Sequence, residues 1–316
     1  MTALEFQTAH EGLWVELEQA IQLPERKLDP QRFLALYRTC CEHFALAEAR
    51  GFPSAIIERL SIVTARAHQI VYRQSDFGIA RIARVLLNRF PAMVRAHRGY
   101  VALSALLAVG PAVVLGLAVY HKPDLILSIV DGSTAAKFEK MYDPSNEVLG
   151  RLRDAGSNWM MFGFYIMNNI GIAFQCYATG VLLGVGSVYF IAMNGAFGGA
   201  IAGYVASAGF GGTFFSFVAT HSAFELTAIV LCGAAGLRIG RAVLLPGRLP
   251  RAVALELAAK DTSVIVFGSA VMLVIAAAIE AFWSSAAWVT PTAKYCGAAA
   301  CWILVTLFFL RRPYAD

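Results

Sequence analysis

A histidine and a glutamate lie four residues apart in one long apolar stretch. His221 and Glu225 occur in the string Thr-His-Ser-Ala-Phe-Glu, and this spacing places both side chains on one face of a helix. An ionisable group inside a membrane helix is costly and therefore indicates an ion pathway, a proton relay or a buried polar contact. Three asparagines in neighbouring apolar stretches extend the candidate cluster: Asn168, Asn169 and Asn194.

The depth of these groups supports a shared cluster. At a rise of about 1.5 Å per residue, Asn168, Asn169 and His221 lie roughly 10–14 Å below one membrane surface, and Glu225 lies near the midplane. Such a cluster is typical of a site for an ion, a proton or a polar headgroup. Alternatively, these side chains hydrogen-bond between helices and fix their packing. One His/Glu pair does not complete a zinc site, so metal binding stays undecided, and Glu280 is expected to reach the membrane interface.

The composition defines the environment of these residues. The chain has 316 residues, of which 58% are hydrophobic and 15% charged, whereas a soluble domain carries about a quarter charged residues. This excludes an ordinary soluble enzyme, a disordered chain and a secreted disulfide scaffold. The six cysteines form no CxxC motif, and the net charge of +5 is modest. The basic residues lie beside apolar stretches, so nucleic acid is not an expected partner.

Six stretches are apolar enough to cross a bilayer, which takes about 20 residues. The chain therefore predicts an all-α, polytopic membrane protein of about six transmembrane helices. The predicted spans are residues 100–120, two spans within 160–209 that divide near 184–187, and residues 214–237, 263–283 and 295–310.

Arginine clusters orient these spans. By the positive-inside rule, the clusters that precede the first span, follow the fourth and follow the sixth should be cytoplasmic. They are Arg89, Arg95 and Arg98; Arg238, Arg241, Arg248 and Arg251; and Arg311 and Arg312. Four crossings and then two satisfy all three clusters, so both termini are predicted to be cytoplasmic. Residues 121–158 then form a loop on the outer side.

The polar N-terminal third of the chain predicts a cytosolic helical domain, residues 1–98, ahead of the membrane domain, residues 99–316. Apolar residues recur at helical intervals within 31–50 and again within 56–71. A third predicted helix, residues 79–96, carries Arg81, Arg84 and Arg95 along one face. It lies either on anionic headgroups or on the solvated face of a small bundle.

Glycines repeat at a spacing that lets helix backbones approach closely. Gly195, Gly199 and Gly203 form one such pattern, and Gly180 with Gly184 forms another. These faces predict helix packing and suggest a homodimer. No HExxH, GxSxG or GxxxxGK[ST] motif occurs in the sequence, so we expect neither catalysis nor a cofactor.

Several motifs in chain order resemble the stage II sporulation protein M family. His221 to Gly240 resembles the family signature, and the strings that begin at Asn168 and Asn194 resemble its second-span and third-span motifs. Further upstream, three segments resemble the N-terminal helical region of longer, non-sporulating bacterial members: Leu36 to Arg38; Ala65, His68 and Tyr72; and Phe90 to Arg95. The resemblance covers most of residues 31–241. It implies that Asn168, Asn169, Asn194, His221 and Glu225 are motif residues, without implying their role.

The resemblance implies a function at the bacterial inner (cytoplasmic) membrane. The founding member anchors a peptidoglycan-degrading pair of enzymes, and longer members are typically encoded beside a MoxR-type ATPase. The first hypothesis is therefore a non-enzymatic scaffold that recruits envelope or peptidoglycan-remodelling proteins, with the bilayer and a second copy as further partners. The alternative is an ion or small-solute transporter or channel that uses the Asn/His/Glu cluster. An intramembrane hydrolase is a weaker third hypothesis.

Overall fold

The computed structural model describes residues 2–22, 29–71, 78–146, 148–150 and 157–311. Within these ranges the chain forms α-helices and short 3₁₀ and π turns, with one isolated β-bridge and no strand. The chain divides into two compact units, Met1–Arg81 and Ile82–Asp316. The sequence pattern placed a domain boundary at residue 98, and the cytosolic location of the first unit remains a prediction. Tyr72 and Arg312 of the sequence motifs lie outside the described residues.

The first unit contains three helices, α1 (Ala3–Gln22), α2 (Pro30–Ala49) and α3 (Ser54–Val71). Helix α2 begins at Asp29, whose carboxylate accepts hydrogen bonds from the Gln31 and Arg32 backbone N–H groups and so caps the helix. The helices bury one apolar core of Phe6, Trp14, Leu17, Phe33, Leu36, Cys40 and Leu60. Arg59 of α3 forms ion pairs with Glu11 and Glu18 of α1, which fixes the register of these two helices.

The predicted helix 79–96 is found in the structure, with one turn of π geometry in its middle. Helix α4 (Ile79–Arg84) is followed by a π-helical turn (Val85–Arg89) and helix α5 (Phe90–Ala96). Phe90 and Val94 lie in an apolar core with residues of later helices, and Gly268 leaves room for the Phe90 ring. Helix α5 therefore packs its apolar side chains within the second unit.

Six long helices form the second unit: α6 (Arg98–His121), α8 (Asn158–Ala178), α9 (Val185–Ser207), α10 (Gly211–Leu244), α11 (Arg251–Ile279) and α12 (Pro291–Leu310). Five of them are long and apolar enough to span a membrane by length and composition, one fewer than the six predicted spans. The exception is α8, the predicted second span, whose 21 residues include Asn168, Asn169 and Gln175. These amides lower its hydropathy.

The glycine repeat of α9 faces α6. A Cβ atom added at Gly195, Gly199 or Gly203 would overlap a backbone carbonyl oxygen of α6, so the two backbones are in direct contact. The facing residues of α6 are also small: Ala108, Ala112 and Gly116. The glycine repeat of α9 therefore packs against α6 of the same chain and supplies no argument for a dimer.

A tight turn joins α8 to α9. Leu183 and Gly184 both have positive φ angles, 55° and 84°, and the turn lies against the backbone of α10, where Gly180 faces Gly236 and Gly184 faces Gly240. The Ser187 hydroxyl donates a hydrogen bond to the Cys176 carbonyl at 2.6 Å. Helix α8 thus runs beside α10, and the chain reverses its direction near the C-terminal end of α10.

The connection between α6 and α8 is partly helical, with a 3₁₀ turn (Pro123–Ser128) and helix α7 (Gly132–Tyr142). Its C-terminal part covers the start of α10, because Tyr142 and Leu149 share a buried cluster with Phe214 and Phe217. The Leu149 N–H donates a hydrogen bond to the Ser285 carbonyl after α11. Gly150 has a φ of +75° and no room for a Cβ beside the Phe217 ring. Glu147 and residues 151–156 lie outside the described residues.

Candidate functional site: a buried histidine and carboxylate cluster

His221 and Glu225 lie one turn apart on α10, as their spacing predicts. Nε2 of His221 is 3.8 Å from Oε2 of Glu225, which is too long for a hydrogen bond. The other ring nitrogen, Nδ1, is hydrogen-bonded to the Ser284 hydroxyl at 3.0 Å. His221 is 4% exposed, and the Phe217 ring packs edge-on against it. The imidazole is therefore held by Ser284 with Nε2 directed at the carboxylate.

Glu280 lies beside His221 and Glu225, so that one imidazole and two carboxylates form a group. One ligand atom from each of His221, Glu225 and Glu280 lies within 4.8 Å of the others. Glu280 is 8% exposed, so the expectation that it reaches the membrane interface is wrong. Among the described residues, no hydrogen bond or salt bridge to its carboxylate is found. Sequence reasoning missed its role because α10 and α11 meet only in the folded chain.

A π-helical turn at the end of α11 places Glu280 and Ser284 beside α10. The turn spans Glu280–Ser284 and is closed by the Ser285 N–H, which donates to the Glu280 carbonyl five residues earlier. Such turns are rare and frequently occur at functional sites. Glu280, Ala281 and Ser284 are all buried, so the widened turn directs both polar side chains inward.

A buried lysine lies next to this turn. Nζ of Lys294, at the start of α12, donates a hydrogen bond to the Ser284 carbonyl at 2.7 Å, and Lys294 is 1% exposed. The Thr220 hydroxyl in turn donates to the Lys294 carbonyl at 3.1 Å. Lys294 therefore contacts the C-terminal end of the α11 turn, where helix carbonyls favour a positive charge. The only sequence signal was a single lysine bordering an apolar stretch.

Tyr142 covers the cluster from the α6–α8 connection. Its ring contacts Phe214 and Phe217 edge-on. Burial raises the pKa of the Tyr142 phenol, and the negative charges of Glu280 and Glu225 raise it further. The Tyr142 phenol therefore lies close enough to both carboxylates to interact with them electrostatically.

The predicted asparagines are dispersed. Asn169 is buried, and its Nδ2 has no hydrogen-bond partner among the described residues. It lies on the buried face of α8, between Tyr165 and Ala173, which pack against α11 and the shared core. Asn168, the preceding residue, is exposed and donates a hydrogen bond to the Asn169 side-chain oxygen at 3.0 Å.

Asn194 lies away from the histidine cluster. Its Nδ2 donates to the Phe190 carbonyl of its own helix at 2.7 Å. The nearby Ile191 contacts α10 at Gly233, three turns beyond His221, so about 13–18 Å separate the two levels along the helix axis. The structure therefore unites His221 and Glu225 with Glu280, Ser284 and Lys294, and leaves Asn168 and Asn194 outside.

The order Ser284, His221 and Glu225 superficially suits nucleophilic catalysis. A working triad needs the acid within hydrogen-bond reach of the imidazole and a nucleophile that substrate can approach. Here the acid is 3.8 Å away and Ser284 is fully buried. The arrangement suits the binding of a cation between the imidazole and the two carboxylates better than acyl transfer.

The fold and the cluster define an α-helical membrane protein with an enclosed acid and imidazole site. Residues 103–285, more than half of the chain, match the family model of stage II sporulation protein M. The chain belongs to this family. His221, Glu225, Glu280 and Ser284 lie inside the match, whereas Lys294 lies beyond it.

The first unit matches a separate family model. Residues 4–73 match a Domain of unknown function (DUF8413), which covers nearly all of α1 to α3. No curated protein and no solved structure matches the chain significantly. The comparisons therefore assign the membrane unit to a family and give no biochemical role to either unit.

Proposed function

We propose that the protein is a non-enzymatic scaffold in the inner (cytoplasmic) membrane of a bacterium. On this proposal, its first unit and its α6–α8 connection bind partners on opposite faces of the bilayer. The partner classes are envelope or peptidoglycan-remodelling proteins and a MoxR-type ATPase system. Family membership supports a membrane protein of the stage II sporulation protein M family, and the scaffold role and the partner classes follow from the family resemblance of the sequence.

A groove on the first unit carries the proposal. It lies between α1 and α3, and Ile62 on its wall is 46% exposed, an apolar side chain among charged ones. The charged residues along the groove are Glu18, Glu58, Arg59 and Arg66. An exposed apolar side chain with a charged rim is compatible with a protein interface, in which an apolar core is surrounded by polar residues.

The ends of the helices support six crossings with both termini cytoplasmic. Arg95, which precedes α6, donates hydrogen bonds to the Phe309 and Arg311 carbonyls at the end of α12. Tyr100 of α6 lines one pocket with Arg238 and Arg241 near the end of α10. The described arginines of all three clusters therefore lie at one end of the unit, which the positive-inside rule assigns to the cytoplasm.

This arrangement also requires α8 to cross. Helix α6 ends beside the connection that covers the start of α10, at the end opposite the arginines. The chain must then return to the arginine end by the close of α10, which takes an odd number of crossings. Helices α9 and α10 supply two, so α8 supplies the third. Its buried face, formed by Tyr165, Asn169, Ala173 and Cys176, extends along its length.

Co-isolation tests the scaffold. The full chain and a variant that lacks residues 2–81 are purified from membranes in mild detergent, and the recovered proteins are quantified. We expect envelope or ATPase proteins with the full chain and their loss with the shortened one, provided that both variants integrate into membranes equally. Recovery of no specific protein, or of the same proteins without the first unit, would contradict the proposal.

Ion or solute transport is a second candidate, favoured by the buried His221, Glu225 and Glu280 group. It requires that purified protein in liposomes supports an ion- or pH-dependent flux and that Glu225→Gln abolishes this flux without unfolding the protein. The scaffold predicts the same flux with wild type, variant and empty liposomes.

A further inference from the structure

We propose that His221, Glu225 and Glu280 bind a divalent transition-metal ion where the end of α11 meets α10. This site is independent of the scaffold function and requires no catalysis. Imidazole nitrogen suits zinc and its neighbours, and carboxylate oxygen suits zinc and manganese. The donor set is therefore that of a Zn²⁺ or Mn²⁺ ion.

The spacing of the donors fits a shared ion better than direct contact. Nε2 of His221 and Oε2 of Glu225 are 3.8 Å apart, beyond hydrogen-bond distance. Two ligands that each lie about 2.0–2.1 Å from a tetrahedral zinc ion are about 3.3–3.5 Å apart. All three donor atoms lie within 4.8 Å of one another, so modest side-chain rotations bring them to one ion.

Glu280 supplies a second, independent observation. Its side chain is more than nine-tenths buried, it has no hydrogen-bond or ion-pair partner in the described part of the chain, and its carboxylate faces the other two donors. Buried charges in proteins are normally paired or coordinate a metal. A cation between Glu280 and Glu225 would provide the missing partner.

Lys294 does not fill this role. Its ammonium group donates to the Ser284 carbonyl, and neither carboxylate of the cluster forms an ion pair with it within the described residues. The carbonyls at the end of the α11 turn stabilise its charge. The charges of the two carboxylates are therefore not compensated by Lys294. A divalent cation would neutralise both charges while His221 stays neutral.

Ser284 orients the imidazole for this purpose. Metal-binding histidines almost always donate their second N–H to a neighbouring oxygen, which fixes the ring and the tautomer. The Nδ1 of His221 is hydrogen-bonded to the Ser284 hydroxyl at 3.0 Å; in the tautomer that donates from Nδ1, the Nε2 lone pair is directed at Glu225. Tyr142 and Phe217 close the site above the ring.

Metal binding by the full chain tests this inference. Purified protein in detergent is stripped with a chelator, incubated with Zn²⁺ or Mn²⁺ in turn, desalted and analysed for metal per chain. We expect about one tightly bound ion per wild-type chain and a higher thermal unfolding midpoint when it is bound. Glu280→Gln and His221→Gln should each abolish this binding. Ser284→Ala should weaken the affinity by about 10–100-fold, because it removes only the orienting contact.

Glu256→Gln is the matched control, since Glu256 lies on the same helix and its side chain is 63% exposed. It should retain the wild-type metal content. Size exclusion and circular dichroism establish that each variant is folded. If a ligand variant does not fold, Ser284→Ala still tests the site, because it keeps all three metal ligands. The proposal is overturned if wild type binds neither ion, or if it binds no more than folded Glu280→Gln protein; protons would then neutralise the carboxylates.

Discussion

Ser284 connects the His221 imidazole to the buried Lys294 side chain, because its hydroxyl is hydrogen-bonded to His221 and its carbonyl accepts from Lys294. The i,i+4 spacing of His221 and Glu225 was sufficient to predict that they share a helix face. Their partners could not be predicted, since Glu280 and Ser284 arrive through tertiary packing and a π-helical turn. The rotation of α8, which buries Asn169 and exposes Asn168, is likewise set by packing.

Removal of the Ser284 hydroxyl should destabilise the membrane unit. In Ser284→Ala the buried Nδ1 of His221 loses its partner, which costs about 1–3 kcal/mol. Thermal unfolding in detergent should show a lower midpoint than for Ser263→Ala. Ser263 is the control because its exposed hydroxyl bonds only to the Lys260 carbonyl of its own helix. Equal midpoints for the two variants would show that the Ser284 contact contributes little.

At the scale of elements, the α6–α9 pair depends on backbone contact at glycine. Gly199→Ala should destabilise the protein, because the added Cβ would overlap the Ala112 carbonyl. Gly198→Ala is the matched control, since a Cβ there meets no heavy atom within 4 Å. Alanine is the better helix former by about 1 kcal/mol, so Gly198→Ala should leave the unfolding midpoint unchanged or raise it. A similar midpoint for Gly199→Ala would contradict the close approach.

The helices of the first unit should lose stability as the pH falls from 7.5 to 5.5. Burial, aided by the nearby His10, lowers the pKa of His43, and its Nδ1 accepts a hydrogen bond from the Trp14 indole at 3.1 Å. Unfolded histidine titrates near pH 6.5, so the unfolded chain binds more protons below that pH and folding weakens. Above pH 7.5 both states are neutral and the effect vanishes.

Hydrogen exchange of α1 to α3 in the full chain, corrected for intrinsic rates, measures this dependence. Protection should decrease between pH 7.5 and 5.5 in wild type and decrease less in His43→Gln. The same loss in both proteins would assign the dependence to other groups.

At the scale of the whole molecule, the topology gives a direct labelling prediction. Single cysteines at the exposed positions Ser145 and Arg248 are introduced into a chain whose six native cysteines are replaced. A membrane-impermeant maleimide should label Ser145→Cys in intact spheroplasts, and Arg248→Cys only after lysis. These residues lie at opposite ends of α10, so labelling of both from the same side would refute the crossing assignment.

The fold class, an all-α membrane protein, and the helical organisation could be predicted from apolar runs and arginine clusters, because the bilayer imposes length and charge rules on every span. Helix α8 was predicted as a span although its amides keep its hydropathy low. The packing of α5 into the membrane unit could not be predicted, because its arginines indicated a surface helix while Phe90 fits against Gly268. Such complementarity is a property of the folded chain.

The scaffold is tested most directly by photo-cross-linking in living cells. A photoreactive residue replaces Ile62 in the groove of the first unit, Leu127 in the connection, or Leu307 on the exposed apolar face of α12. The scaffold predicts adducts with distinct proteins at positions 62 and 127, and none with a soluble or envelope protein at position 307. If positions 62 and 127 form no protein adducts beyond those at position 307, the chain does not act as a scaffold through these surfaces.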